Sequence, residues 1–399
     1  MDWSLRGKTA IVGYGETEVN RERKETLSIE QYYARAAKLA LENAGLSKQD
    51  FDGQGIGLLE PETVQPIWSM QILQDLGLHP RLVIRSDHGG IGSGELLDQA
   101  AAVINAGLVD RVLCIGADAP LTYSGQGVTI TQRLVMDFMK PFGMMGPNSL
   151  FGLVAQRYIH QYGVSSEQVG KLAVTQRHHA TLNPIAYFAQ DITMEDYLNS
   201  RMISDPIRLF DCCIPVNGGL AFIVTSTEKA KNITDKPVYL LGSGACYNYR
   251  HGDGTTPDIT YMGTFRASKE AFAKAGITTE AEVSFIQLYD DYTYAVMIQL
   301  EDLGYCEKGD AGRFIEQTDI SYKGELPINT GGGQLSSGQA GMAGSFLPLV
   351  EAIRQLRHEG GQRQVKDAEI GVVSLIGAIG QYCGSLVNTH VCVLGTEVS

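Results

Sequence analysis

The sequence predicts an α/β fold built from a duplicated β-α-β-α-β unit. Short apolar runs that end in glycine are typical of buried strands turning into helices, and the chain has 46 glycines in 399 residues. These runs alternate with stretches of helical period, as in α/β proteins. The same order of elements occurs twice, which indicates two halves that bury their strands against each other.

The first copy of the unit carries the clearest helix signals. Ser28-Ile-Glu-Gln31 has the spacing of a capping box, and Gly45 stands where the left-handed end of a helix belongs, so a helix between them is predicted. The other elements expected in this copy are strands over residues 9–15, 55–59 and 112–116 and a helix from about residue 95 to residue 105.

The second copy repeats that order in the C-terminal part of the chain. The spacing between matching elements grows along the chain, which indicates insertions between them. The elements expected here are strands over residues 237–242, 283–288 and 372–377, a helix over 268–275 that ends at Gly276, and a helix over about 347–358.

A long insertion interrupts the first copy. We expect an N-terminal half over residues 1–118 and 210–235, an inserted loop or lid region over 119–209, and a C-terminal half over 236–399. The inserted region is richer in methionine, aromatic residues and helix-like periods. Segments that interrupt a repeat in this way often cover a substrate site.

The charge balance argues against several classes of partner. The chain has 45 acidic and 32 basic residues and no run of Lys or Arg, so neither nucleic acid nor an anionic membrane is expected to bind. We find no apolar stretch of membrane-spanning length and no signal-peptide pattern, so we expect no membrane insertion and a cytoplasmic location. Seven cysteines fit reduced thiols better than a disulfide framework, and no metal-ligand spacing occurs.

Two glycine-dense turns open into apolar helices, one in each half, and a shared site could form where they meet. Bare N–H groups at a helix start can hold an anion or a developing oxyanion. The alternative is a tight turn that only packs a helix against a sheet. The glycines of interest are Gly89, Gly90 and Gly92 in the first turn and Gly331, Gly332 and Gly333 in the second.

A group of tyrosines follows the strand expected at residues 283–288. Tyr289, Tyr292 and Tyr294 come directly after that strand, with Asp290 among them. Polar aromatic side chains at a strand end suit proton transfer or ligand contact, but a tyrosine must have its pKa shifted from about 10 to act as a base. The alternative is that each tyrosine packs with its hydroxyl hydrogen-bonded.

Taken in order, these motifs resemble the thiolase superfamily over almost the whole chain. The similarity is greatest to the sterol-carrier-protein-type thiolases and the lipid-transfer-protein-like acyl-CoA aldolases. It implies a thiolase fold, a five-layered α-β-α-β-α arrangement with an inserted loop domain. The segments that carry it are Ile11-Val-Gly-Tyr-Gly-Glu-Thr-Glu18, the turn at residues 89–93, the strand at residues 112–117, His179-Ala-Thr-Leu-Asn-Pro184, Tyr289-Asp-Asp-Tyr-Thr293 and Asn329-Thr-Gly-Gly-Gly333.

The chain departs from the thiolases at the residues that would do covalent chemistry. Gly89 stands where sterol-carrier-type thiolases carry the nucleophilic cysteine, and Gln339 stands where they carry the histidine of Gly-His-Pro. Their His-Asp-Cys-Phe element reads Tyr289-Asp-Asp-Tyr292. Without the thiolate and its histidine, covalent acyl transfer has no visible nucleophile.

The remaining cysteines and histidines are weaker candidates. Cys383 lies near the family's late cysteine but out of register with it. His88, beside the missing nucleophile, is the first histidine candidate and His251 the second, although most such histidines are structural. The cysteines expected to pack in or beside apolar strands are Cys114, Cys212, Cys213 and Cys392.

The resemblance implies retro-aldol cleavage of a β-hydroxyacyl-CoA into a shorter acyl-CoA and a ketone or aldehyde. This reaction needs a base for the hydroxyl proton and stabilisation of the thioester enolate, but no covalent intermediate. The expected catalytic candidates are Tyr289, Tyr292, Tyr294, Asp290 and His88, and one of the three tyrosines is expected to take the hydroxyl proton. The glycine N–H groups of both turns would hold the thioester enolate, with Gln339 as a further substrate-binding residue. Tyr247 or Tyr249 would replace a tyrosine that some aldolases carry near the late glycine loop.

A coenzyme A thioester is the expected substrate, with no covalently bound cofactor. The resemblance also implies a homodimer and, often, a small partner subunit with an OB fold and a zinc ribbon. Two alternatives stay open: a thiolase subunit that uses an out-of-register cysteine and free CoA, and a non-catalytic acyl-CoA or lipid carrier. The acyl group, whether a steroid side chain, an aromatic succinyl chain or a simple branched chain, is not readable from the residues.

Overall fold

The computed structural model describes residues 5–21, 27–62, 67–123, 137, 139–144, 146–249, 258–279, 282–379 and 386–398. Its strands are β1 (Thr9–Glu16), β2 (Gly55–Leu59), β3 (Leu82–Ser86), β4 (Arg111–Asp118), β5 (Met202–Ser204), β6 (Ile207–Arg208), β7 (Gly218–Ser226), β8 (Val238–Cys246), β9 (Phe285–Leu288), β10 (Ile370–Ile379) and β11 (Leu386–Gly395).

The helices alternate with these strands. They are α1 (Ile29–Ala44), α2 (Trp68–Leu76), α3 (Gly92–Asn105), α4 (Pro120–Tyr123), α5 (Pro147–Tyr162), α6 (Ser166–Thr181), α7 (Met194–Leu198), α8 (Thr227–Ala230), α9 (Thr264–Ala275), α10 (Thr293–Leu303), α11 (Ala311–Gln317), α12 (Gly333–Ser336) and α13 (Phe346–Leu356).

The sheet confirms the duplication. Within the described residues the strand order is β3-β2-β4-β7-β1-β8-β11-β10-β9. Outward from β1, the pairs β1–β7 and β7–β4 are antiparallel and β4–β2 is parallel. Outward from β8, the pairs β8–β11 and β11–β10 are antiparallel and β10–β9 is parallel. In the first half, β3 is the outermost strand. At the matching position of the second half, the described residues have only an isolated parallel bridge between Ile286 and Ile328.

Glycines in the first strand of each half let an outer helix come close. A Cβ on Gly13 of β1 would lie 2.6 Å from the Cβ of Ala44 on α1. A Cβ on Gly242 of β8 would lie 2.2 Å from the carbonyl oxygen of Ala271 on α9. Helices α1 and α9 therefore form the two outer layers, while α3 and α13 contact strands of both half-sheets and form the middle layer.

The predicted helix signals are confirmed. Ser28 and Gln31 form the reciprocal capping box of α1, and Gly45 ends that helix at φ +65°. Gly276 ends α9 in the same way at φ +73°. These ends depend on local sequence alone, which is why the spacing predicts them.

Buried ion pairs on α13 connect the two halves. The Arg354 guanidinium contacts Glu16 of β1 at 2.7 Å and Glu351 at 2.6 Å. Burial alone would raise the pKa of Glu351, but Arg363 and Arg354 beside it lower that pKa to about 2. Backbone pairing between the halves is short: Ala10 and Ile11 of β1 pair with β8, and isolated bridges join Cys212 to Tyr292 and Pro215 to Gln339.

The described residues of the inserted region form mainly helices, several of which pack on the second half. Helix α6 packs against α10, α11 and α12, and α5 contacts the small β5–β6 hairpin. None of the helices described is long and apolar enough to cross a membrane. The described residues also hold no group of three or more His, Cys, Asp or Glu side chains placed to bind a metal ion.

Candidate active site

The glycine turn before α3 lies against the tyrosine element of the second half. Gly89 has φ +64°, in the left-handed region where a side chain is strained. A Cβ on Gly90 would lie 2.0 Å from the carbonyl oxygen of Ile376 on β10 and 2.7 Å from Cζ of Tyr289. Only glycine therefore allows the tyrosine ring to reach the backbone at the start of this helix.

Tyr289 is the predicted tyrosine that meets this turn. Its phenolic oxygen accepts a hydrogen bond of 2.9 Å from Nε2 of Gln339. Oε1 of Gln339 in turn accepts one of 3.2 Å from the thiol of Cys213. Burial, with the nearby Asp291 carboxyl and Cys213 thiol, raises the pKa of Tyr289 well above its usual value. We call Gly90, Tyr289, Asp291, Gln339 and Cys213 the Tyr289 site.

Asp291 is a member of this site that the sequence analysis missed. Its backbone carbonyl accepts a 2.8 Å bond from the N–H of Cys213, and its buried Oδ1 has no hydrogen-bond partner among the described residues. Burial raises its pKa to about 7. The available signal was its position, because it stands where the thiolase element His-Asp-Cys-Phe has cysteine.

The side chain of Asp290 binds backbone N–H groups of the second glycine turn. Its buried carboxylate accepts the N–H groups of Gln334 at 2.8 Å and Leu335 at 3.3 Å, at the start of α12. Burial raises its pKa to about 8. A Cβ on Gly333, which has φ +59°, would lie 2.0 Å from Oδ2 of Asp290. The second glycine turn is thus shaped to receive this carboxylate.

The amides of the second turn are partly used for packing. The Gly332 N–H donates to the carbonyl of Asn329 at 2.9 Å, so it is not available to hold an enolate. The Gly331 carbonyl accepts a 2.9 Å bond from Nδ2 of Asn183. Added Cβ atoms on Gly331 and Gly332 would meet Glu351 and Ala180, respectively. The oxyanion role of Gly331 and Gly333 stays a prediction.

Gly333→Ala is expected to lower the free energy of unfolding by about 3 kcal/mol, because a strained φ is combined with a clash against buried Asp290. Gly163→Ala is the matched control, since Gly163 has φ +72° but no atom within 4 Å of its added Cβ. That control should lose only about 1 kcal/mol. Urea denaturation followed by circular dichroism measures both, and equal losses would contradict the packing argument.

Tyr292 and Tyr294 point away from the first glycine turn, toward the inserted region. Tyr292 stacks on Phe151 of α5, with ring centroids 3.9 Å apart, and its hydroxyl donates to Oδ1 of Asn148 at 2.5 Å. Tyr294 is 2% exposed and meets the ring of Tyr158 edge-on at 6.3 Å. Burial raises the pKa of both phenols.

His88 and Tyr247 meet at a carboxylate that the sequence analysis also missed. Glu95 on α3, only 6% exposed, accepts a 2.6 Å bond from the Tyr247 hydroxyl. His88 Nδ1 lies 2.9 Å from the same carboxylate, and Ser86 donates to it as well. The His88 and Tyr247 rings are 5.5 Å apart. Glu95 therefore gathers both predicted residues at the start of α3. Tyr249 packs near Phe265 instead.

The cysteines divide into packing residues and one site residue. Cys114, Cys212 and Cys392 are buried, and burial raises the pKa of each thiol, that of Cys212 to about 12. For Cys213 the packing expectation is incomplete, because its thiol contacts Gln339 in the Tyr289 site. Burial and the Asp291 carboxyl raise the pKa of Cys213 well above its usual value, so it stays a neutral thiol. Cys383 and His251 lie outside the described residues.

Known proteins are similar to this chain over nearly its full length. Residues 249–393 match a family model described as "Thiolase C-terminal domain-like". The "Steroid side-chain-cleaving aldolase" of Thermomonospora curvata is 32% identical over 88% of this chain and 91% of its own length. The "17-hydroxy-3-oxo-4-pregnene-20-carboxyl-CoA lyase" of Mycobacterium tuberculosis is 31% identical over 88% and 92%.

The architecture agrees with these relatives. A solved structure titled "Ltp2-ChsH2(DUF35) aldolase" superposes with a TM-score of 0.84 at 30% identity and covers 98% of both chains. The predicted thiolase fold is therefore confirmed. The chain belongs to the thiolase superfamily, in the group of acyl-CoA aldolases related to the sterol-carrier-protein-type thiolases.

Proposed function

We propose that this protein is an acyl-CoA retro-aldolase that cleaves a β-hydroxyacyl-CoA into a shorter acyl-CoA and a ketone or aldehyde. The observation that carries the proposal is the pair formed by Tyr289 and Gln339 at the Gly90 turn. It brings a phenol and an amide to the place where a thiolase needs a thiolate and an imidazole. The names of two relatives, an aldolase and an acyl-CoA lyase, support the same reaction.

Tyr289 would act as a proton donor rather than as the base. Its oxygen accepts from Gln339, which leaves the phenolic hydrogen for a substrate, and no acceptor for that hydrogen occurs in the described part of the chain. Its raised pKa keeps the phenol neutral at physiological pH. A neutral phenol in a buried site can donate to the thioester oxygen as negative charge develops there.

Asp291 would take the hydroxyl proton. Its Oδ1 has no hydrogen-bond partner in the part of the chain that the structure describes, and a pKa of about 7 leaves a large fraction ionised at neutral pH. As the β-hydroxyl loses its proton, the Cα–Cβ bond breaks and its electron pair passes to the thioester as an enolate. Cleavage of that bond releases the carbonyl product. The protonated Asp291 would then return its proton to Cα of the enolate, which gives the shorter acyl-CoA and restores the carboxylate. The roles of His88 and Tyr247 would be to bind substrate beside this centre, held by Glu95.

The substrate and the assembly are also part of the proposal. The relatives' names favour a steroid side-chain thioester of coenzyme A. The solved structure's title names a second component, ChsH2(DUF35), which supports a small partner subunit for this chain. We also propose a homodimer. Strand β3 ends the sheet, and its Val83 side chain is 38% exposed, which suits pairing with a second copy.

The deciding experiment is an assay of the chain co-expressed with its partner subunit. A panel of β-hydroxyacyl-CoAs and matching β-ketoacyl-CoAs is incubated with and without free CoA, and carbonyl products are measured. We expect carbonyl release from the hydroxy substrates without added CoA. Cleavage of keto substrates only, and only with CoA, would establish a thiolase. Binding without turnover of either series would indicate a carrier.

A further inference from the structure

Cys213 is the member of the Tyr289 site that the proposed reaction leaves without a role. Its backbone is fixed at this place, because its N–H donates to the carbonyl of Asp291 at 2.8 Å. The carbonyl of the next residue, Ile214, accepts a 2.7 Å bond from the N–H of Gln339. These bonds hold the Cys213 thiol beside the side chain of Gln339, where Sγ lies 3.2 Å from Oε1.

The side-chain amide of Gln339 has two possible orientations. Its oxygen accepts and its NH₂ group donates, and a half-turn of the amide exchanges the two. In the structure, Oε1 faces the Cys213 thiol and Nε2 donates to the Tyr289 oxygen at 2.9 Å. In the reversed orientation, Oε1 would face the phenol and would accept the phenolic hydrogen. That hydrogen would then be lost to the substrate.

The Cys213 thiol favours the orientation seen in the structure. A thiol has one hydrogen to donate, and its sulfur is only a weak acceptor, so it pairs better with Oε1 than with Nε2. Burial raises the pKa of Cys213 well above its usual value, so the thiol keeps its hydrogen at neutral pH. No other donor reaches Oε1 of Gln339 within the described ranges. Without the thiol, Oε1 would be unpaired unless the amide turned to the phenol.

We propose that the Cys213 thiol positions Gln339: by donating to Oε1 it turns Nε2 toward Tyr289 and keeps the phenolic hydrogen directed at the substrate. The three groups then form one hydrogen-bond chain with a single direction, which ends at the thioester oxygen, and each bond in such a chain strengthens the next. Cys213 is a positioning residue, because it acts through Gln339. The proposal rests on the proposed function in taking a thioester oxygen as the acceptor of the phenolic hydrogen.

The first test is infrared spectroscopy of a bound acyl-CoA that carries carbon-13 at its thioester carbonyl and has no β-hydroxyl, so that it cannot be cleaved. A hydrogen bond from the phenol lowers the stretching frequency of this carbonyl, and Tyr289→Phe gives the frequency without that bond. The complex with the partner subunit is used. We expect Cys213→Ala to move the frequency to the Tyr289→Phe value. Cys213→Ser should keep the lowered frequency, because its hydroxyl replaces the thiol as donor.

The second test measures carbonyl release from a β-hydroxyacyl-CoA. Cys213→Ala is expected to lower kcat by about 10- to 100-fold with little change in KM, and Cys213→Ser should restore the rate. In a Gln339→Ala background, Cys213→Ala should have no further effect, because the thiol acts through that amide. Cys212→Ala is the matched control. Its buried thiol donates to the carbonyl of Arg208 at 3.5 Å, so kcat and the infrared frequency should both stay unchanged.

The positioning role and the aldolase reaction fail in different ways. A lowered frequency and full kcat in Cys213→Ala would show that the thiol does not orient Gln339. Equal losses in Cys213→Ser and Cys213→Ala would mean that the packing of the sulfur matters and its hydrogen does not. A further loss in the Gln339→Ala background would assign the effect to another contact. A frequency that depends on Cys213 as expected, without carbonyl release from any β-hydroxyacyl-CoA, would support the positioning role and refute the aldolase.

Discussion

Tyr289→Phe is expected to lower kcat for cleavage of a β-hydroxyacyl-CoA by about 10²- to 10⁴-fold, the usual contribution of a positioned proton donor. The ring that packs on Gly90 is kept and only the hydroxyl is removed, so the fold should be unchanged. Steady-state assays of carbonyl release measure the effect, and circular dichroism checks the fold. KM should change little, because the lost interaction strengthens as charge develops in the transition state.

Tyr292→Phe and Tyr294→Phe are the matched controls for this variant. Both side chains are buried, the ring of Tyr294 meets that of Tyr158, and the hydroxyl of Tyr292 donates to Asn148. We expect both variants to keep kcat within about tenfold, with some loss of stability in Tyr292→Phe, where Asn148 loses its donor. If Tyr289→Phe keeps full activity while one of the controls loses it, the proton donor is the other tyrosine and the Tyr289 site is misassigned.

Asp291→Asn is expected to lower kcat/KM by about 10²- to 10⁴-fold, because an amide cannot accept the hydroxyl proton. In the unmodified enzyme, kcat/KM should rise as pH increases through about 7, since only the ionised carboxylate is a base and its pKa is about 7. The variant should lose this pH dependence together with its rate. A pH profile that keeps the same rising limb in Asp291→Asn would assign the base to another group.

The same carboxyl has a measurable effect on stability. Its pKa is higher in the folded protein than the usual 3.8, so the folded state binds this proton more tightly than the unfolded state does. The stabilisation that this proton provides is complete below about pH 4 and is lost as pH rises through about 7. Asp291→Asn should therefore raise the melting temperature at pH 8 and leave it almost unchanged at pH 4. No gain at pH 8 would mean that the carboxylate is solvated.

Local signals in the sequence predict the fold well. The capping box at Ser28, the glycine ends at Gly45 and Gly276, and the repeated strands depend on neighbouring residues, and each appears where expected. The second glycine turn was harder to interpret. Its glycines predict amides free to hold an enolate, but the Gly332 amide is bonded within the turn, and Gly333 makes room for the Asp290 carboxylate. A high density of glycines indicates that another group packs closely against the backbone, but it does not show whether that group belongs to a ligand or to the protein.

The site could be predicted only in part, because its residues meet through the tertiary fold. Tyr289 and Gln339 were expected as candidates, yet their bond joins positions 50 residues apart. Glu95 binds Tyr247 across 152 positions, and Cys213 reaches Gln339 across 126. In the sequence alone, a glutamate on a helix is expected at the surface and a cysteine before a strand is expected to pack in the core. Only the packing of the two halves shows that each of them contacts a predicted site residue.

The ion pair between Arg354 and Glu16 has a consequence for how this protein could have arisen. A repeated unit that began as a self-sufficient ancestor would have had to neutralise its own buried charges. Here the carboxylate on one copy is matched by the guanidinium of the other, and that guanidinium also contacts Glu351 of its own copy, so separating the copies would leave Glu16 without its cation. The first copy on its own would therefore need a new partner for Glu16, or exposure of that carboxylate to water.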